Sequence, residues 1–120
     1  MMVKQLAARV RQQPRAAIVD LHGEINGFAE TALSAAYAEA EAGNPEVILL
    51  NFSDVDYINS TGIALIVGIL ARARAADRRL IATGLSEHYV EIFNITRLAD
   101  YMAVYPSEQS ALAEVPVAGR

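Results

Sequence analysis

Apolar and polar residues alternate at Leu6, Ala8 and Val10, and alternate again at Ala17, Val19 and Leu21 beyond Pro14. A period of two belongs to a strand with one buried face, so this pattern predicts two antiparallel strands joined by a turn over residues 12–15. Gly23 is expected to end the second strand. The period then lengthens: Ala29, Leu33, Ala36, Tyr37 and Ala40 recur at helical spacing, and Gly43, Asn44 and Pro45 supply the stop. Val47, Ile48, Leu49 and Leu50 are continuously apolar, as expected of a central parallel strand buried on both faces. Residues 51–59 are polar enough to predict a loop, after which Ser60 or Asn59 can cap a helix running to about Ala76.

Leu80, Ile81 and Ala82 predict a fourth strand ended by Gly84, and Ser86 can cap a third helix carrying Val90, Ile92 and Phe93. A short strand over 103–105 and a helix over 107–113 complete the pattern. Residues 115–120 are expected to form a flexible tail. The order of elements implies an α/β fold in a single domain over residues 1–120, with a mixed sheet of about five strands and about four helices. Its edge is antiparallel and its inner strands parallel. Folds of this class place ligands and modifications beyond the carboxyl ends of the parallel strands, so function is sought after Leu50.

That region holds Asp56, Tyr57, Ile58, Asn59, Ser60, Thr61 and Gly62, between the most buried strand and the most apolar helix. The segment resembles the signature of the STAS family, in which an aspartate, a serine, a serine or threonine and a glycine open the second helix. The resemblance extends to the Gly23, Glu24, Ile25 turn, the buried strand, and the Val90, Ile92, Phe93 and Leu98 pattern of the third helix. It implies a STAS fold and, in the anti-sigma-factor antagonist branch, a binding module and not an enzyme. Such a protein binds an anti-sigma factor that is also a serine kinase and thereby frees a sigma factor. Phosphorylation of the signature serine, here Ser60, ends the binding, and a serine phosphatase reverses it. Thr61 is a second hydroxyl in the same turn but matches the non-acceptor position. The partner surface the resemblance implies comprises Asn26, Asp56, Tyr57, Asn59, Thr61, Gly62, Ile63 and Ile66. Asn59 and Asn26 stand where antagonists usually carry aspartate. These two changes keep a different reading open, a STAS scaffold or accessory subunit of a stress-signalling assembly or lipid transporter that is not phosphorylated.

Physical chemistry is compatible with a switch at Ser60. A phosphate there would meet the free amides and positive dipole end of a helix, and would add about −1.5 to −2 charges beside Asp54 and Asp56. The plainer reading is that Ser60 is an N-cap and nothing more.

Composition narrows the alternatives. The 120 residues are 53% hydrophobic and 20% charged, enough for a core, and carry a formal charge of −4. With no basic stripe to displace phosphate counterions, a nucleic-acid partner is not expected. Zero cysteines exclude disulfides and thiolate chemistry; His22 and His88 lack the spacing of metal ligands, so neither metal nor cofactor is expected. No stretch has the length of a signal peptide core or a membrane span, which predicts a cytoplasmic protein without membrane insertion. Asp20, Asp54 and Asp56 could suggest a magnesium pocket of the response-regulator kind, but Asn51 stands at the end of the central strand where an acceptor aspartate is needed. No phosphate-binding glycine loop is present, and no set of nucleophile, base and orienting group can be assembled. The second helix is apolar all round from Gly62 to Leu70, consistent either with deep burial or with a partner surface beside Ser60. Arg72, Arg74, Arg78 and Arg79 at its end suit a solvated helix terminus or a rim that steers an acidic partner.

Overall fold

The structure, a computed structural model, describes residues 4–115. The expected tail therefore lies, apart from Val115, outside the described residues. One five-stranded sheet runs in sequential order through β1 (Ala7–Gln13), β2 (Ala16–Ile25), β3 (Val47–Ile58), β4 (Arg79–Thr83) and β5 (Ala103–Tyr105). β1 pairs antiparallel to β2 through a two-residue turn at Pro14 and Arg15, and every later pair is parallel. Helices α1 (Glu30–Ala42), α2 (Ser60–Ala75) and α3 (Glu87–Ile95) make the three crossovers, and α4 (Glu108–Leu112) follows β5.

Topology decides where the helices lie. The parallel strands advance across the sheet in one direction, and a right-handed crossover then puts each connecting helix on the same face. That face holds the main core: Ala17, Val19 and Leu21 of β2, Ile48, Leu50 and Phe52 of β3, and Leu80 and Ala82 of β4 meet Leu33, Tyr37, Ile66, Ile69 and Phe93 of the helices. The opposite face presents Ile18, Val47, Leu49 and Ile81, covered by Ala111 of the short α4. Beyond this cover the far face is polar. Arg11 of β1 donates from Nε and Nη2 to the two carboxylate oxygens of Asp20 at 2.7 and 2.9 Å, and also to Glu108 of α4. Asn51 Nδ2 adds a bond of 2.8 Å to Asp20 Oδ1. The Arg11 guanidinium holds the Asp20 carboxyl below its ordinary range, against the opposing effect of burial.

Two features differ from the sequence reading. β2 does not end at Gly23 but continues to Ile25, because Gly23 adopts φ 110° within a register shift and lets the strand resume. Residues 51–58 are strand and not loop. Their polar character follows from β4 ending its pairing at Asn51↔Thr83 while β2 stays paired as far as Ile25↔Ile58, which leaves this half of β3 largely solvated. The magnesium pocket considered for Asp20, Asp54 and Asp56 does not form, since Asp20 turns to Arg11 on the far face and Asp56 pairs with Lys4. The arginines at the end of α2 agree with a solvated helix terminus: Arg72, Arg74 and Arg79 are exposed, Arg72 over the Tyr37 ring and Arg74 over Tyr101, while half-buried Arg78 donates to the Pro45 carbonyl.

Candidate functional site

The junction of β3 and α2 is held from three sides. β2 supplies the first hold, through the Asn59 amide donating to the Ile25 carbonyl at 3.2 Å. α3 supplies the second: with no β4 neighbour there, Ile58 turns both backbone groups to the buried Tyr89 hydroxyl. Its N–H donates to Tyr89 Oη at 2.8 Å, and Tyr89 Oη donates to its carbonyl at 3.3 Å. A side chain thus stands in for the missing strand, which matters because an unpaired buried peptide group is costly. The third hold is within α2, where Asn59 Oδ1 accepts from the Gly62 amide at 2.8 Å and the Asn59 carbonyl begins the helical bonds by accepting from Ile63 at 2.9 Å.

Asn59 is therefore the N-cap of α2, and the cap role considered for Ser60 passes to it. Ser60 is the first helical residue, exposed, with Thr61 exposed beside it. The amide of Gly62 is taken by the cap, and the remaining amides of the first turn lie at the positive end of a helix of 16 residues.

A second turn abuts this one. Asn26 Oδ1 accepts from the Phe28 amide at 2.9 Å and the Asn26 carbonyl accepts from Ala29 at 3.0 Å, forming a single 3-10 turn over Gly27–Ala29 before α1. A Cβ on Gly27 would lie 3.6 Å from Thr61 Cγ2, so the two turns touch. Asp56 pairs with Lys4 at 3.3 Å, and Tyr57 is half exposed. Asp56, Tyr57, Asn59, Thr61 and Ile63 thus lie on the end of β3 and the start of α2 that flank Ser60, and the turn that Asn26 caps touches Thr61. Gly62 and Ile66, also expected on the partner surface, are not available to a partner. Ile66 is wholly buried in the core, and Gly62 is packed so closely on the Ile25 carbonyl that a Cβ would collide with it. The two readings of α2 divide between its faces: Ile66, Ile69, Leu70 and Ala73 are buried, whereas Ala64, Val67, Gly68 and Ala71 are exposed.

Two residues of this site were not singled out from the sequence. Phe28 stands 90% exposed at the tip of the 3-10 turn, and its signal was its place one residue outside the helical stripe that starts at Ala29. Tyr89 left no signal, because its partner is backbone 31 residues away. Among the described residues no group of three His, Asp or Glu could hold a metal ion, and no helix is long and apolar enough to cross a membrane.

Residues 7–111, which include this junction, match the family model of the STAS domain. The chain belongs to the STAS domain family. Among its relatives the anti-sigma-B factor antagonist of Staphylococcus epidermidis is 30% identical over 86 residues, which are 72% of this chain and 80% of the relative. The fold matches the anti-sigma factor antagonist from Mycobacterium paratuberculosis with a TM-score of 0.74 at 20% identity, over 92% of this chain and 94% of that one. It matches the Bacillus cell fate determinant SpoIIAA in its phosphorylated form with a TM-score of 0.70 at 22% identity, over 92% and 100%.

Proposed function

We propose that this STAS protein is an anti-sigma-factor antagonist. Its Ser60 face binds an anti-sigma factor with serine kinase activity, the complex releases a sigma factor, and phosphorylation of Ser60 ends the binding until a phosphatase removes the group. The protein acts as a binding module and not as an enzyme. The observation that carries this reading is the division of labour at the start of α2. Asn59 does the capping, and the exposed Ser60 hydroxyl has no hydrogen bond among the described residues to lose when modified. The similarity to named antagonists supplies the partner class.

A phosphate on Ser60 lies at the positive end of α2, so the fold tolerates it. A partner seated on the same turn meets two added charges and loses contact, a like-charge penalty of several kcal/mol. The test is calorimetric titration of Ser60→Ala and Ser60→Asp against the serine-kinase anti-sigma factor of the same genome. Ser60→Ala is expected to bind like wild type and Ser60→Asp at least about tenfold more weakly, since several kcal/mol of repulsion is far more than one decade of affinity. Equal affinity for both variants refutes the switch, as does a kinase that is active on other substrates yet leaves no phosphate on Ser60 by mass spectrometry.

A further inference from the structure

Between α1 and α2 lies a groove on the solvent side of the main core. It is a hollow of about 290 Å³ floored by Leu33, Leu65 and Ile69 and open above Gly68, where a Cβ would meet nothing within 4 Å. The α2 wall continues as an exposed face of Ser60, Ala64, Val67, Gly68 and Ala71, and α2 carries no charge before Arg72. A helix face turned to water ordinarily bears charged side chains, so about three turns without one suit a face that another surface covers.

Two charges border the groove, and they are of opposite sign. Glu30 opens α1 and makes no ion pair among the described residues. Arg72 lies in the last turn of α2, its guanidinium 4.5 Å from the Tyr37 ring centroid and its Nη1 donating to Ser34 Oγ at 3.0 Å. These contacts place the guanidinium about one to two turns beyond Glu30 along α1. They also order a long side chain in advance, which leaves less rotamer entropy to lose on pairing.

The order of these charges points to what covers the groove. α1 and α2 both run from the carboxyl ends of the parallel strands back across the same face, so they are parallel to each other. The groove therefore has a Glu30 end and an Arg72 end. Such a pattern is its own complement under a two-fold rotation: a second groove laid antiparallel on the first brings Glu30 of each copy to Arg72 of the other. It also sets the two α2 dipoles antiparallel. Self-complementarity of this kind is what a contact between two identical chains requires.

We infer that this groove binds a second copy of the chain, α2 against α2 in antiparallel sense, with Glu30 paired to Arg72 across the two-fold axis. The small side chains of Ala64, Gly68 and Ala71 let the two helices approach to about 8 Å, and Val67 of each copy meets the open space above Gly68 of the other. Ser60 stands two turns before Val67 on the same exposed face, so the paired form covers its hydroxyl. On the antagonist reading, self-association and docking to an anti-sigma factor then exclude each other. The pairing itself does not depend on that reading.

The test is sedimentation equilibrium of wild type, Gly68→Arg, Glu30→Arg, Arg72→Glu and an equimolar mixture of the last two, with thermal melts of each. Wild type is expected to dimerise with a dissociation constant of about 100 µM or tighter, the range of a small, transient contact. Gly68→Arg, which fills the groove without touching its own domain, should weaken association by about tenfold or more and keep its melting temperature. Glu30→Arg and Arg72→Glu each set two like-charge pairs where two opposite pairs stood, and should also weaken association by about tenfold or more. Their mixture should recover it, because every arginine then faces a glutamate. Wild type that stays monomeric up to about 1 mM overturns the inference, as does a Gly68→Arg variant that dimerises like wild type. A mixture no stronger than its two components overturns the pairing of Glu30 with Arg72. No anti-sigma factor enters these measurements, so their failure leaves the antagonist reading standing.

Discussion

Stability and recognition should separate at two adjacent residues, Asn59 and Ser60. Asn59→Ala removes the Oδ1 acceptor 2.8 Å from the Gly62 amide, a cap whose loss costs about 0.5–2 kcal/mol. Unfolding entropy near 2.1 cal/mol/K per residue makes 1 kcal/mol worth about 4 °C in a chain of this length. A fall of about 2–8 °C in melting temperature is therefore expected. Ser60→Ala loses no cap, and alanine is the better helix former by a few tenths of a kcal/mol, so its melt should stay within about 2 °C of wild type. Asn59→Asp keeps an acceptor in the same place and adds a negative charge where the helix dipole favours one, worth about 0.3–1 kcal/mol. The order expected from scanning calorimetry is Asn59→Asp at or above wild type, Ser60→Ala beside wild type, and Asn59→Ala clearly below. Ser60→Ala falling as far as Asn59→Ala would show that the serine shares the cap, and would remove the ground for calling its hydroxyl structurally idle.

Other substitutions test the frame. Gly62→Ala should destabilise by about 1–3 kcal/mol because its Cβ meets backbone that cannot yield, whereas Gly68→Ala, where a Cβ meets nothing within 4 Å, should stabilise by about 0.5–1 kcal/mol; thermal melts of the pair would refute this if the two moved alike. Tyr89→Phe keeps the ring but strips both bonds from Ile58, at a cost of about 1–3 kcal/mol and with faster amide exchange at Ile58; unchanged exchange would refute the hold assigned to the hydroxyl. Asp20 has its folded-state pKa lowered by Arg11, so it contributes stability above its unfolded value near 3.9 and loses that contribution as pH falls through the folded value. The melting difference between wild type and Asp20→Asn should accordingly shrink below about pH 4, and a difference constant from pH 6 to pH 2 would refute the linkage.

The sequence showed most of what has a period and little of what depends on distant pairing. The stripe from Leu33 to Ala40 and the run from Val47 to Leu50 are local patterns, and they became α1 and the buried part of β3. The outer half of β3 misled because it is strand without two strand neighbours. Its polar side chains record solvent, while its conformation is set by pairing with β2, 30 or more residues earlier. The cap was ambiguous for a similar reason, since Asn and Ser cap almost equally well and only the start of the helical bonds distinguishes one register from the next. Ile66 was placed on the partner surface by the resemblance, and a helix apolar on all sides carries no signal of which side faces the sheet.

The two asparagines that depart from the usual antagonist pattern have a common physical meaning once their positions are known. Each is a cap: Asn26 for the 3-10 turn that carries Phe28, and Asn59 for the helix that carries Ser60. Asparagine caps as well as aspartate, so the change leaves both turns in the same geometry. What it removes is two carboxylates from the turns that flank Ser60. A phosphate on Ser60, as proposed above, would meet the helix dipole with fewer opposing charges next to it, and the modified protein would be less strained electrostatically than one with aspartate at both caps. The carboxylates that remain on the flanking segments are Glu24, Glu30, Asp54 and Asp56, of which Asp56 is already paired with Lys4. In the switch proposed above, charge added at Ser60 would then make up a larger share of the local field than in an all-aspartate site. On that proposal, neutral caps would widen the difference between the two states of Ser60 while keeping one fold for both.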